Sequence, residues 1–117
     1  MKLKILIVDD DTDSTGMLLK VMLRDYICVL IDCGKDAVDM CRRNKYDLIL
    51  MNYSMPCMNG DYATEEIRKI DKNVIIFGNS AIEQYENRMI KSGCNEFFIK
   101  PVIKQELFKL ISKYFNI

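Results

Sequence analysis

No histidine occurs anywhere in the chain. That removes Ser-His and Cys-His nucleophile pairs and every His-ligated metal site. A surplus of one charge sign is missing too. The 17 Lys and Arg residues offset 17 Asp and Glu, and the basic ones are scattered, which argues against direct nucleic-acid binding. Long apolar runs are lacking. The N-terminal one stops at Val8 against three aspartates, too short for a secretory leader or a bilayer span. A soluble protein with no membrane partner is expected.

Cysteine is present but in an unhelpful pattern for crosslinking. Cys28, Cys33, Cys41, Cys57 and Cys94 make an odd count with no C-x-x-C pair, which reads neither as a disulfide framework nor as a zinc site. Most lie in or beside apolar segments, where free cysteine behaves as a small hydrophobe. Reduced thiols and a cytoplasmic location are therefore expected. The 117 residues suit one domain, taken as residues 1–117, large enough for a single core without staples.

What is present is a regular alternation. Short apolar runs at residues 3–8, 27–31, 46–51, 74–77 and 96–99 suit buried strands. Between them come helical patterns. Met17, Leu18, Val21 and Met22 repeat at helical spacing behind cap candidates at residues 11–15. Ala37, Val38 and Cys41 mark a second inner face, and Ala63, Ile67 and Ile70 a third. Ile82, Tyr85, Met89 and Ile90 precede Gly93, and Leu107, Leu110, Ile111 and Tyr114 stripe the last helix. Five strand–helix units in strict alternation predict an α/β fold: a doubly wound, five-stranded parallel sheet, (βα)5 and flavodoxin-like.

In such a sheet the chemistry collects where the strands end. Asp9, Asp10 and Asp11 follow strand one, Asn52 ends strand three, Asn79 and Ser80 lie near the end of strand four, and Lys100 follows strand five. Carboxylates, an amide and a hydroxyl in that density suit a hard cation such as Mg²⁺, and with Lys100 they suit a phosphoryl group. Each residue also has a plain structural use. An Asp run after a strand commonly caps a helix, and a Lys before Pro is commonly a surface residue. Joint placement at four strand ends is what capping does not require.

Three stretches carry a resemblance: ILIVDDD at residues 5–11, YDLILMNYSMPCMNG at residues 46–60, and GCNEFFIKP at residues 93–101. Together they resemble the receiver domains of two-component response regulators, along the whole chain. The resemblance implies a phospho-accepting aspartate at the end of strand three, served by a histidine kinase or phosphotransfer protein, with Mg²⁺ required. It implies Asp9 and Asp10 as metal ligands together with the Ser54 backbone carbonyl. Lys100 would pair with the phosphoryl oxygens, Phe97 would be the rotating aromatic switch, and the bond before Pro101 would be cis. It also implies a downstream effector protein docked on the helix four–strand five–helix five face, here including Tyr85, Met89, Phe97, Lys104 and Phe108.

The chain departs from that pattern twice. Asn52 stands at the acceptor position, and an amide oxygen is a far weaker nucleophile than a carboxylate. As read from the sequence, Asn52 keeps one oxygen for the metal but removes one negative charge. Weak Mg²⁺ binding and no phosphorylation are expected. It also relieves repulsion with Asp9 and Asp10, so the metal-free fold should gain stability. A natural pseudo-receiver and an introduced Asp→Asn change both fit. The second departure is in strand four. Ser80 supplies the hydroxyl that the family uses there, whereas Asn79 or Gly78 fits the spacing to Gly93 better.

Other functions have specific obstacles. An aspartyl-type phosphatase or phosphotransferase would use Asp9 and Asp11, but no cap insertion encloses a substrate. A flavin module needs a phosphate loop where three aspartates would repel it. No helix-turn-helix segment is present for DNA binding. The expectation is a stand-alone signalling module and not an enzyme.

Overall fold

The computed structural model describes residues 2–116. Five strands, β1 (Lys4–Val8), β2 (Ile27–Ile31), β3 (Leu48–Asn52), β4 (Ile75–Ser80) and β5 (Glu96–Ile99), pair in parallel in the order β2-β1-β3-β4-β5. Ile, Val and Leu dominate the central strands, and β3 is buried along its whole length. That is what a strand covered on both faces requires. Helices α1 (Thr15–Met22), α2 (Gly34–Arg43), α3 (Gly60–Ile70), α4 (Glu86–Ser92) and α5 (Lys104–Ser112) complete the alternation.

Alternate residues of each strand feed two cores. Leu6, Val8, Ile49, Met51 and Ile76 meet Ala37, Val38, Ala63, Ile67 and Met89 on one side, which carries α2, α3 and α4. Ile5, Ile7, Leu48, Leu50 and Phe77 meet Leu19, Leu107 and Ile111 on the other, which carries α1 and α5. The chain reverses direction across the sheet between β1 and β3. The carboxyl ends of these two strands therefore open a crevice at the reversal, where such sheets bind ligands.

Several expectations are corrected. On α1 the buried residues are Gly16 and Leu19, while Met17, Leu18 and Val21 are exposed. Six apolar positions crowd residues 17–23, so the pattern fits more than one helical phase, and Leu19 with Leu23 is the pair that packs. Strand β4 runs on to Ser80, because Gly78, Asn79 and Ser80 are enclosed by neighbours although none is apolar enough to signal it. Strand β3 begins at Leu48, after Tyr46. A 3-10 turn, Glu83–Tyr85, precedes α4, leaving Ile82 and Ile90 exposed and only Met89 fully buried on that helix. Ile70 also lies at the surface.

The thiols are corrected as well. Cys33 and Cys57 form a disulfide with their Cα atoms 5.8 Å apart, while Cys28, Cys41 and Cys94 are free. The start of α2 packs directly on the loop after β3. A Cβ on Gly34 would collide with the Met58 carbonyl oxygen. Cysteine counting sees spacing along the chain and not this contact. No helix among the described residues is long and apolar enough to cross a membrane.

Candidate functional site

Strand pairing brings the acidic run to the crevice. Val8 pairs with Met51, and Asn52 with Asn79, so Asp9 leaves β1 beside Asn52. Asp9 is 1% exposed, and such a charge needs partners. Its carboxylate accepts from Lys100 Nζ at 2.7 Å, from the Asp11 backbone N–H at 2.9 Å, and from Thr15 Oγ1 at 3.3 Å. Lys100 reaches it from the end of β5, where the chain turns through a cis Lys100–Pro101 bond, as the resemblance implied.

Asn52, 6% exposed, is held by other groups. Its Nδ2 donates to Asp10 Oδ1 at 3.0 Å and to the Ser54 carbonyl at 2.8 Å. Asp11 turns outward and binds Ser14 through both the backbone N–H and the hydroxyl. The Ser14 hydroxyl holds the Asp11 carboxyl below its ordinary value, against a smaller opposing effect of burial. With Asp11 turned outward, two carboxylates, Asp9 and Asp10, against one ammonium leave the crevice with one net negative charge; an aspartate at position 52 would make two.

The loop after β3 is built to bring its backbone close. Asn59 Oδ1 accepts from the Met55 N–H at 3.1 Å, and the Gly60 N–H donates to the Tyr53 carbonyl at 2.6 Å. A Cβ at Gly60 would strike the Asn52 carbonyl oxygen. These contacts account for the Asn-Gly pair in the sequence: one amide braces the loop, and one missing side chain lets α3 start against β3. Tyr53 stacks on Tyr85 with ring centroids 3.8 Å apart, and Arg88 donates to its hydroxyl at 2.7 Å. Neither Tyr53 nor Arg88 was singled out from the sequence. A Tyr after the strand end carries no signal until α4 is placed over it.

The strand-four candidates separate. Ser80 Oγ accepts from the Ile82 N–H at 3.0 Å, and its carbonyl accepts from the Lys100 N–H at 3.0 Å. Asn79 is 1% exposed, and its Oδ1 has no hydrogen-bond partner. Gly78 lies under Met89 and Cys94, which a Cβ would crowd. Burial pushes the Cys94 thiol up to about 11, against a smaller opposing effect of the Thr64 hydroxyl, so it stays protonated. Phe97 is half-buried against the α2–α4 core. Of the expected docking face, Met89 is core, whereas Lys104 is exposed and Tyr85 and Phe108 are half-buried.

No group of three or more Cys, Asp or Glu side chains converges as a metal cage among the described residues. The donors present are nonetheless all oxygens of the kind a hard cation takes: two carboxylates, the Ser54 carbonyl and, with its amide turned over, Asn52 Oδ1.

The sequence matches the response regulator receiver domain over residues 5–112. It is 34% identical over 116 residues to two-component response regulator 24 of Arabidopsis thaliana, covering 96% of this chain and 84% of that protein. It is 32% identical over 119 residues to the chemotaxis protein CheY of Thermotoga maritima, covering 94% and 95%. Hybrid signal transduction histidine kinase B of Dictyostelium discoideum is 31% identical over 131 residues, covering 97% of this chain but 7% of that protein. The chain thus corresponds to nearly all of some relatives and to one small segment of others. Among solved structures, the receiver domain of sensor histidine kinase PA1611 from Pseudomonas aeruginosa superimposes with a TM-score of 0.89. It has 28% identity and covers 97% and 98% of the two chains, and it holds a magnesium ion in its active-site cleft. The strand order, the crevice at the reversal and these matches agree: this chain belongs to the response regulator receiver domain family of two-component signalling.

Proposed function

We propose that this chain is a receiver module that passes its signal through protein contacts without being phosphorylated itself. The carrying observation is Asn52, a neutral amide at the end of β3 whose nitrogen is held by Asp10 and Ser54. No carboxylate stands at that strand end to attack a phosphoryl group. Around it the family's other parts remain: Asp9 and Asp10 at the acidic edge, Lys100 across from Asp9, and the Ser80 hydroxyl at the end of β4. Asp9, Asp10, the Ser54 carbonyl and Asn52 Oδ1 are the groups that would hold Mg²⁺. The ion would supply positive charge against phosphoryl oxygens, and we infer weak binding because position 52 contributes no charge.

Transmission is assigned to Ser80, in contact with Lys100 through the backbone, and to Phe97, two residues before the end of β5. The receiving effector would sit on α4, β5 and α5. Exposed Ile90, Ile99 and Ile103 offer the apolar centre such a contact needs, with Lys104 beside them. Exposed Met17, Leu18 and Val21 on α1 supply a second apolar strip, suited to a histidine kinase or phosphotransfer protein. We infer a cytoplasmic location, in which the Cys33–Cys57 pair would be kept reduced.

The test is restoration of the acceptor. Both the unchanged chain and Asn52→Asp are incubated with Mg²⁺ and acetyl phosphate, and bound phosphate is read by intact mass. The Asp form alone should gain a phosphoryl group. Equal labelling of both would move the acceptor elsewhere and overturn the reading. Absence of labelling in either would show that the loss extends beyond residue 52.

A further inference from the structure

An amide that touches two acceptors and no donor has one orientation that satisfies it. Asn52 Nδ2 lies 3.0 Å from Asp10 Oδ1 and 2.8 Å from the Ser54 carbonyl oxygen. An ionised carboxylate and a carbonyl only accept, so the end between them must carry the two hydrogens. Turned over, the amide would set Oδ1 against two electron-rich oxygens. Residue 52 is 6% exposed, and although Asp10 stands in solvent, the repulsion and the two lost hydrogen bonds both favour the first orientation. The NH₂ group therefore supplies partial positive charge between the Asp10 carboxylate and the Ser54 carbonyl, two of the oxygens that a bound ion would draw together. Lys100 Nζ does the corresponding work for Asp9, 2.7 Å away.

We propose that the Asn52 amide is a built-in replacement for the divalent cation. Its two N–H bonds tie Asp10 to the Ser54 carbonyl, hold the loop after β3 in place, and close the site to Mg²⁺ until the amide turns over. This deepens the function proposed above and rests on it. It differs from the charge argument in one measurable way. Charge alone weakens the attraction for Mg²⁺ at an unchanged site; a bridging amide competes with the ion.

Asn52→Ala separates the two accounts, because alanine has the charge of asparagine but neither its N–H groups nor its oxygen. Competition predicts that the alanine form binds Mg²⁺ severalfold more tightly than the unchanged chain, because the one or two hydrogen bonds released outweigh the neutral ligand oxygen lost, whose place a water can take. Its melting temperature without metal should fall below that of the unchanged chain and recover on adding Mg²⁺. Charge alone predicts that it binds no more tightly, because a ligand oxygen is gone, and that result would overturn the proposal.

The unchanged, ¹⁵N-labelled chain gives a second measurement that no variant can spoil by misfolding. Both side-chain amide protons of Asn52 should exchange slowly with water and keep their shifts in millimolar Mg²⁺. Fast exchange, or shifts that move at micromolar Mg²⁺, would overturn the bridge. No phosphoryl donor enters these experiments. Labelling of the unchanged chain would defeat the proposed function, whereas the bridge stands or falls on the metal titration and the amide resonances.

Discussion

At the scale of single residues, enclosure decides what a charged or polar group can do. Asp9 and Lys100 are 1% and 14% exposed at their side chains, so each depends on the other far more than the surface pair Arg42–Asp39 does. Tyr114 shows the same rule on the opposite edge of the molecule. Burial, and then its hydrogen bond to Glu96, push its hydroxyl from an ordinary 10.0 up to about 12. The folded chain therefore holds the proton that the unfolded chain releases. The resulting stabilisation is complete below pH 10 and is lost as pH rises from there to about 12. Urea denaturation across that range should show a fall in stability that Tyr114→Phe flattens. An equal fall in both proteins would place its origin elsewhere.

At the scale of elements, one side chain ties three segments into a corner. Arg68 of α3 donates to the Val74 carbonyl at 2.6 Å, the Gly93 carbonyl at 2.9 Å and Asn95 Oδ1 at 2.9 Å. Asn95 Oδ1 in turn accepts from the Ile76 N–H at 2.8 Å. The ends of α4 and β4 are held by this fork. Gly93, at φ 124°, is the one described residue in the positive-φ region, and a Cβ there would meet Arg68 Cγ at 2.8 Å. Arg68→Met keeps the apolar stem and leaves carbonyls unpaired, a loss of roughly 2–3 kcal/mol. The urea midpoint should drop accordingly, with the fold unchanged by circular dichroism. The Gly93 stop was legible in the sequence because helix ends favour glycine. The arginine was not, since its partners are backbone carbonyls that no side-chain pattern reveals.

For the whole molecule, the Cys33–Cys57 bond joins the two segments that frame the acidic crevice from the α2 side. A crosslink 24 residues apart in sequence restricts the unfolded chain by about 3 kcal/mol on loop-closure grounds. Reduction should lower the unfolding free energy by that amount and the denaturation midpoint with it, and Cys57→Ser should match the reduced protein with or without reductant. A midpoint indifferent to reductant in the unchanged chain would show that the bond adds nothing.

The architecture of this protein follows from the order of its segments. Five short Ile- and Val-rich runs alternating with helical stripes admit few packings, and the breaks between them put Asp9, Asp10, Asn52, Ser80 and Lys100 at strand ends. The acceptor motif stood out because its asparagine and glycine serve local backbone geometry, which spacing records. Tertiary structure alone decided which face of α1 packs, how far β4 runs, and which cysteines pair. These depend on contacts between segments distant in sequence. It also decided the orientation of the Asn52 amide. Sequence names the group but not which end points inward. The neighbouring acceptors choose the nitrogen, and with it a site bridged by the chain's own hydrogen bonds.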